Sequence, residues 1–276
     1  MGLPESGRLI VNADDFGRSH SINEAVIRAH REGILTSASL MVNEPACEEA
    51  VCLARQNPKL GVGLHLALVC GSSALPCEQI PGLVNSAKQF SNNAVSAGMR
   101  FFFSRKLKIQ LQDEIEAQFQ KFRATGLPLD HVNGHLNLHL HPVIFGLLME
   151  NVERWGIRHF RLTSDPLALN LKLAGGNFFY RTSHGLIYKM LANWARPKLQ
   201  QRNIRHTQAV FGLLQNARVD ENFLFNLLSQ LPSGDSELYS HPSLDEFKHE
   251  FDALISPRVR ASIEKLGIRL IRYQDL

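Results

Sequence analysis

β-rich runs and helix-patterned stretches alternate along almost the whole chain, and that order leaves few folds open. Residues 8–12 read as a strand. Residues 21–32 then place Ile22, Ala25, Val26 and Ala29 on one helical face, with Gly33 as a stop. The unit recurs as strand 37–42 with helix 45–56, then strand 60–66 with a long loop and helix 105–124. Strand 130–133 with helix 142–155 continues it, and shorter strands fit 158–162, 208–211, 236–240 and 268–272. Strands separated by helices pair in parallel, and 276 residues favour closure into a (β/α) barrel over an open sheet. Residues 170–205 break the rhythm. They are too short to bury a core of their own, so they read as a helical insertion within a single barrel domain spanning 1–276.

Composition narrows the class. With 44% hydrophobic and 20% charged residues the chain is neither disordered nor fibrous. No apolar run reaches the length of a spanning helix, and residues 1–6 lack the basic-then-apolar order of a signal peptide, which points to a cytoplasmic protein. Cys47, Cys52, Cys70 and Cys77 match neither a metal knuckle nor a dense disulfide framework and read as reduced. The net charge of +4 is unevenly spread: residues 79–112 hold five basic and no acidic residues, and residues 166–219 hold eight and none. Both segments carry aromatic and aliphatic bulk, a mixture suited to peripheral contact with an anionic membrane, although aromatics in a core beneath solvated Lys and Arg would look the same. The basic residues are scattered and no recognition motif accompanies them, so nucleic acid is not expected as a partner. Oligomeric state stays open, a homodimer being one option.

In a barrel, chemistry sits on the loops that follow the strands. The first strand ends in Asn12-Ala13-Asp14-Asp15-Phe16-Gly17, the third in Gly63-Leu64-His65-Leu66, and a late one in Glu237-Leu238-Tyr239-Ser240-His241-Pro242. Two adjacent carboxylates repel unless solvent or a cation separates them. If one ligates a divalent ion, the other is placed to take a proton from the attacking water. A solvated turn or helix cap is the bland alternative.

The fourth strand runs into a histidine-rich stretch. His131, His135, His139 and His141 fall on odd positions with Asn133 and Asn137, and the even positions are Val132, Gly134, Leu136, Leu138 and Leu140. This is strand-like alternation, and side chains on one face of a strand stand roughly 6.5–7 Å apart, so the chain must bend, at Gly134, for any to share a centre. One or two would ligate metal while the others orient ligands or touch substrate. With His65 as a further ligand, an Asp and two imidazoles leave open coordination positions, as in hydrolytic centres. Zn suits such donors best, with Mg or Mn as alternatives. His241 would act across the pocket as an acid toward a leaving amine.

These same residues resemble the YdjC/ChbG-like carbohydrate deacetylases: Ile10-Val11-Asn12-Ala13-Asp14-Asp15-Phe16-Gly17, Gly63-Leu64-His65-Leu66, Asp130-His131-Val132-Asn133-Gly134-His135 and the run 237–242 occur in order. Residues 36–42, 100–103 and 125–133 are most similar to the hopanoid-biosynthesis branch called HpnK. The resemblance implies a distorted TIM-like barrel of the polysaccharide-deacetylase superfamily and one divalent ion, Zn or Mg. It implies removal of acetyl from an N-acetylglucosamine group, on a bacteriohopane glycolipid for that branch. Carried over by motif position, Asp15, His65 and His135 are the metal ligands, Asp14 the general base and His241 the acid, with His131, Asn137 and His139 as substrate or supporting contacts.

One position departs from the pattern. Related members often read His-Lys-His-x-His where this chain has His135-Leu136-Asn137-Leu138-His139, and an amide cannot relay a proton as imidazole does. Three further readings stay open. They are a deacetylase of soluble N-acetylated oligosaccharides such as chitooligosaccharides, a metal-dependent phosphoesterase, and a non-catalytic sugar- or lipid-binding module.

Overall fold

The computed structural model describes residues 7–276 apart from 174 and 216, so residues 1–6, on which the signal-peptide argument rests, lie outside it. Strands β1 (Arg8–Phe16), β2 (Ser37–Leu40), β3 (Gly61–Leu66), β4 (Val132–Gly134), β5 (Ala209–Phe211) and β6 (Asp235–Ser240) form a sheet in the order β4-β3-β2-β1-β6-β5. β7 (Arg269–Ile271) pairs with Arg8, Leu9 and Ile10 at the start of β1, and all these pairings are parallel. The expected strand 158–162 is reduced to single bridges. Its neighbours β4 and β5 are three residues long, so no ladder extends. Those bridges still close the ring: Arg161 N donates to Val132 O at 3.1 Å, Phe160 N to Arg205 O at 3.0 Å and Val210 N to Ser164 O at 3.1 Å. The fold is the expected distorted (β/α) barrel.

Helices α1 (His20–Glu32) and α2 (Cys47–Arg55) follow β1 and β2. The expected loop after β3 contains α3 (Ala94–Phe103), which leads into α4 (Arg105–Ala124), and Ser104 separates them by ending one and capping Leu107 N of the other. Periodicity missed α3 because most of its apolar residues face outward: Ala97 and Phe101 are buried, whereas Val95, Met99, Phe102 and Phe103 are exposed. The expected single helix 142–155 divides at Asn151 into α5 (Pro142–Glu150) and α6 (Val152–Trp155). α7 (Leu167–Leu173) and α8 (Phe178–Gln201) occupy the region that breaks the rhythm, followed by α9 (Glu221–Leu228), α10 (Lys248–Ile255) and α11 (Pro257–Leu266). No helix is long and apolar enough to cross a membrane among the described residues.

Leu9, Val11, Ala13, Val62 and Leu64 belong to the buried apolar core that includes residues of the surrounding helices. The barrel interior is polar instead. Asn12, Ser39, Asn133, Arg161 and Glu237 come from different strands or bridges, are all buried, and bond to one another or to Asp14. Buried polar groups are tolerated only when paired, so this network holds the strands in one arrangement. Gly63 makes room for it: a Cβ there would sit 2.5 Å from the His131 ring. The base is closed by the chain's end, where Tyr273 stacks on His131 at 4.2 Å and donates its hydroxyl to Glu237.

Candidate metal centre

Asp14 and Asp15 share one cavity because β1 carries an extra residue. Ala13 pairs with Ala38 but Phe16 with Leu40, and Asp15 takes a left-handed φ of 64°. Successive side chains of an unbroken strand point to opposite faces. The bulge cancels that alternation, and both carboxylates line a cavity of about 940 Å3.

His65 projects from the end of β3, and His135 is the first residue after β4, where the chain leaves the extended conformation. The strand-like alternation of 131–141 therefore does not persist. Residues His135–Leu140 form tight 3-10 turns, and Leu136 and Asn137 have φ of 52° and 57°. That bend brings Asp15 Oδ1 to 3.0 Å from His135 Nδ1 and 3.4 Å from His65 Nε2. Asp15, His65 and His135 are all buried, and one donor atom of each lies within 4.8 Å of the others.

His65 Nδ1 is 2.7 Å from Asn133 Oδ1, while Asn133 Nδ2 donates to Ser39 at 2.8 Å and Asp14 at 3.2 Å. The Asn133 oxygen can only accept, so it holds the His65 proton on Nδ1 and leaves the Nε2 lone pair toward Asp15. Burial pushes Asp15 upward, but hydrogen bonds and charge from His135 and His65 bring it well below the usual carboxylate range. Burial lowers His65, and the charges of Asp14 and Asp15 outweigh that and raise it. Two imidazoles and one carboxylate facing a cavity fit a divalent ion that keeps positions open for water and substrate.

Asp14 is held from below. Arg161 Nη1 and Nη2 donate to its two oxygens at 2.7 and 2.9 Å, and Asn12 Nδ2 donates at 2.9 Å. Arg161 also reaches Glu237 through Nε at 2.8 Å and lies over the Tyr239 ring at 4.3 Å. Burial disfavours the Asp14 anion, yet the Arg161 charge, His65 and the Arg161 hydrogen bonds hold it far below its ordinary value. Burial works against the Arg161 charge, but Asp14 first and Glu237 second outweigh it and raise the guanidinium well above its ordinary value.

His241 lines the same cavity, following β6. Its Nδ1 lies 3.8 Å from Oε2 of buried Glu250, on α10, and Glu250 also accepts from the backbone N of His241 and Val219. Asn137 lines the cavity too, pinned by Thr163 Oγ1 at 2.8 Å and the Tyr239 hydroxyl at 3.2 Å.

Two other residues singled out from the sequence are buried below the cavity. His131 lies between Asp130 at 3.0 Å and Ser39 at 2.9 Å. His139 Nε2 donates to the Arg161 carbonyl at 2.9 Å, and burial with the Arg161 charge pushes it down to about 3. Sequence reasoning passed over Arg161, Asn133 and Glu250. An Arg amid the apolar residues of 158–162 was the available signal for the first, and Asn133 lay inside a quoted motif. Nothing local marked Glu250. It also passed over Tyr180, His184 and Tyr188 of α8 as cavity wall, with Tyr188 donating its hydroxyl to Leu136 O at 3.1 Å.

A carbohydrate deacetylase of Brevibacillus brevis is 39% identical over 153 residues, 54% of this chain and 57% of that protein, so the match spans little more than half of the relative. A chitooligosaccharide deacetylase of Serratia marcescens is 29% identical over 283 residues, 97% of this chain and 98% of its own. The crystal structure of an Enterococcus faecalis V583 protein, connected by its description with cellobiose-phosphate cleavage, superposes with a TM-score of 0.74 at 23% identity, covering 98% of both chains, and shares the fold. The YdjC-like protein family matches residues 8–265, and the chain belongs to it.

Proposed function

We propose that this chain is a metal-dependent N-deacetylase acting on an N-acetylglucosamine group, borne on a bacteriohopane glycolipid. The observation that carries the reading is the Asp15, His65 and His135 cluster beside an Asp14 locked by Arg161 at the floor of one cavity. The names of the relatives support the reaction class. The resemblance of residues 36–42, 100–103 and 125–133 to the hopanoid branch supports the glycolipid.

Asp15, His65 and His135 would hold a divalent ion, which would supply Lewis acidity toward the acetyl carbonyl and acidify water. The chain's own residues do the rest. Arg161, Asn12 and Asn133 keep Asp14 ionised and fix its direction, so that it takes the proton of the water whose oxygen attacks the carbonyl carbon. His241, whose Nδ1 stands 3.8 Å from Glu250 Oε2, protonates the sugar nitrogen as the C–N bond breaks, and acetate and the free amine leave. Asn137, tied to Tyr239 and Thr163, orients substrate without carrying a proton.

The test is acetate release from an N-acetylglucosaminyl lipid and from chitooligosaccharides, before and after chelation and re-addition of Zn or Mg. No release from either sinks the deacetylase reading. Release from chitooligosaccharides alone replaces the glycolipid with the soluble substrate, a second reading favoured by the name of the Serratia relative.

A further inference from the structure

The cavity mouth is flanked by apolar surface that none of the described residues covers. At about 100° per residue, Phe179, Leu186 and Met190 share one face of α8, opposite the buried Gly185, Ala192 and Leu199. Those outward side chains are 83%, 57% and 64% exposed. α3 does the same with Val95, Met99 and Phe103, which are 80%, 56% and 73% exposed and lie opposite the buried Ala97 and Phe101. A surface helix normally turns its apolar stripe inward, so two outward stripes call for a partner.

Both helices belong to the cavity rim. Val95 and Tyr188 line the cavity, Tyr188 bonds Leu136 O, and Phe102 meets the ring of His141 edge-on, so α3 and α8 pack against the same 135–141 segment. Leu136 lies on that segment and is 51% exposed. Charge selects the occupant. The segments that contain α3 and α8, residues 79–112 and 166–219, hold thirteen basic residues and no acidic one. Lys189 and Lys198 fall on opposite flanks of the α8 stripe, and Lys198 Nζ stands 3.4 Å from the centroid of the Trp194 ring. Two copies meeting through this face would oppose like charges. An anionic bilayer offers phosphates to the cations and an apolar phase to the Phe, Leu and Met side chains.

We infer that the outward faces of α3 and α8 dock the cavity mouth onto an anionic lipid bilayer. This rests on the glycolipid reading for its purpose, since it brings a membrane-borne sugar to the metal centre. Its test needs no turnover, so the two fail separately. Flotation is measured with phosphatidylcholine vesicles with and without phosphatidylglycerol, over a range of salt. The expected result is at least roughly tenfold stronger partition onto the anionic vesicles, weakened by salt. The triple variant Phe103→Ser, Phe179→Ser and Met190→Ser, none of which lines the cavity, should lose that partition while keeping the wild-type melting temperature. Lys189→Glu with Lys198→Glu should lose the preference for anionic lipid. Equal partition onto both vesicle types, no partition, or partition indifferent to the serine variant overturns the inference. So does a wild-type dimer in sedimentation that the serine variant dissolves, because a second copy would then cover this face.

Discussion

Arg161 grips both carboxylate oxygens of Asp14, at 2.7 and 2.9 Å, and does so with no exposure to solvent. The fork fixes the plane of the carboxylate, which a lysine ammonium could not do. Asp14→Asn should therefore keep a full complement of metal by elemental analysis while lowering acetate release by roughly 10²–10⁴, the usual weight of a general base. Unchanged turnover would remove Asp14 from the reaction.

Arg161→Met carries a different cost. It leaves Asp14 and Glu237 buried without their shared counter-charge, and breaking such a pair costs about 3–5 kcal/mol. Denaturant titration should show the loss of stability directly, and Arg161→Lys should fall between the two chains.

His65→Ala and His135→Ala should lose metal and activity together, because each removes one of three donor atoms from the cluster. Asn133→Leu leaves all three donors in place yet frees the His65 tautomer. Roughly 10–100-fold weaker metal affinity is expected from loss of such a supporting contact, read by competition with a chelating dye.

Stability should respond to His139. An unfolded chain protonates this imidazole below about 6.5, whereas the folded one resists until about 3. Across that window the unfolded state binds the extra proton, so stability falls as pH falls. His139→Gln keeps a donor for the Arg161 carbonyl and removes the titration. The difference in melting temperature between the two chains should shrink or change sign from pH 6.5 downward. Reading a difference cancels the opposing contribution of Asp165, which burial raises to about 7 and which therefore loses stability as pH rises toward that value.

Gly63→Ala forces a methyl to 2.5 Å from the His131 ring, which is packed between Asp130, Ser39 and Tyr273 and has no room to retreat. Overpacking of this kind costs about 1–3 kcal/mol, and urea denaturation should register it.

The barrel was legible because apolar strand runs and one-faced helical stripes follow each other along the chain, as in the run of β1 and the face of α1 that carries Ala25, Val26 and Ala29. Two parts were not. α3 hides its period by turning Val95, Met99 and Phe103 outward, and the bridge at 158–164 has partners too short to build a ladder. The candidate ligands were visible because Asp and His gathered at strand ends, but their support was not. Arg161 reaches Asp14 from about 150 residues away, through the bridges at 158–164, and Glu250 reaches His241 from the helix that follows β6. The alternation of 131–141 marked the right stretch, and the bend that a shared centre required begins directly after Gly134, where the extended backbone ends.

The single surplus residue in β1 ties two tasks to one backbone distortion. The proposed ion capture by Asp15 and the proposed proton transfer by Asp14 cannot be repositioned independently, because deleting that residue would restore regular pleating and send one of the carboxylates out through the barrel wall. Selection on this segment can therefore swap side chains but not spacing. A variant meant to hold an ion without hydrolysing anything must be sought at Asp14 alone, with the kink left intact.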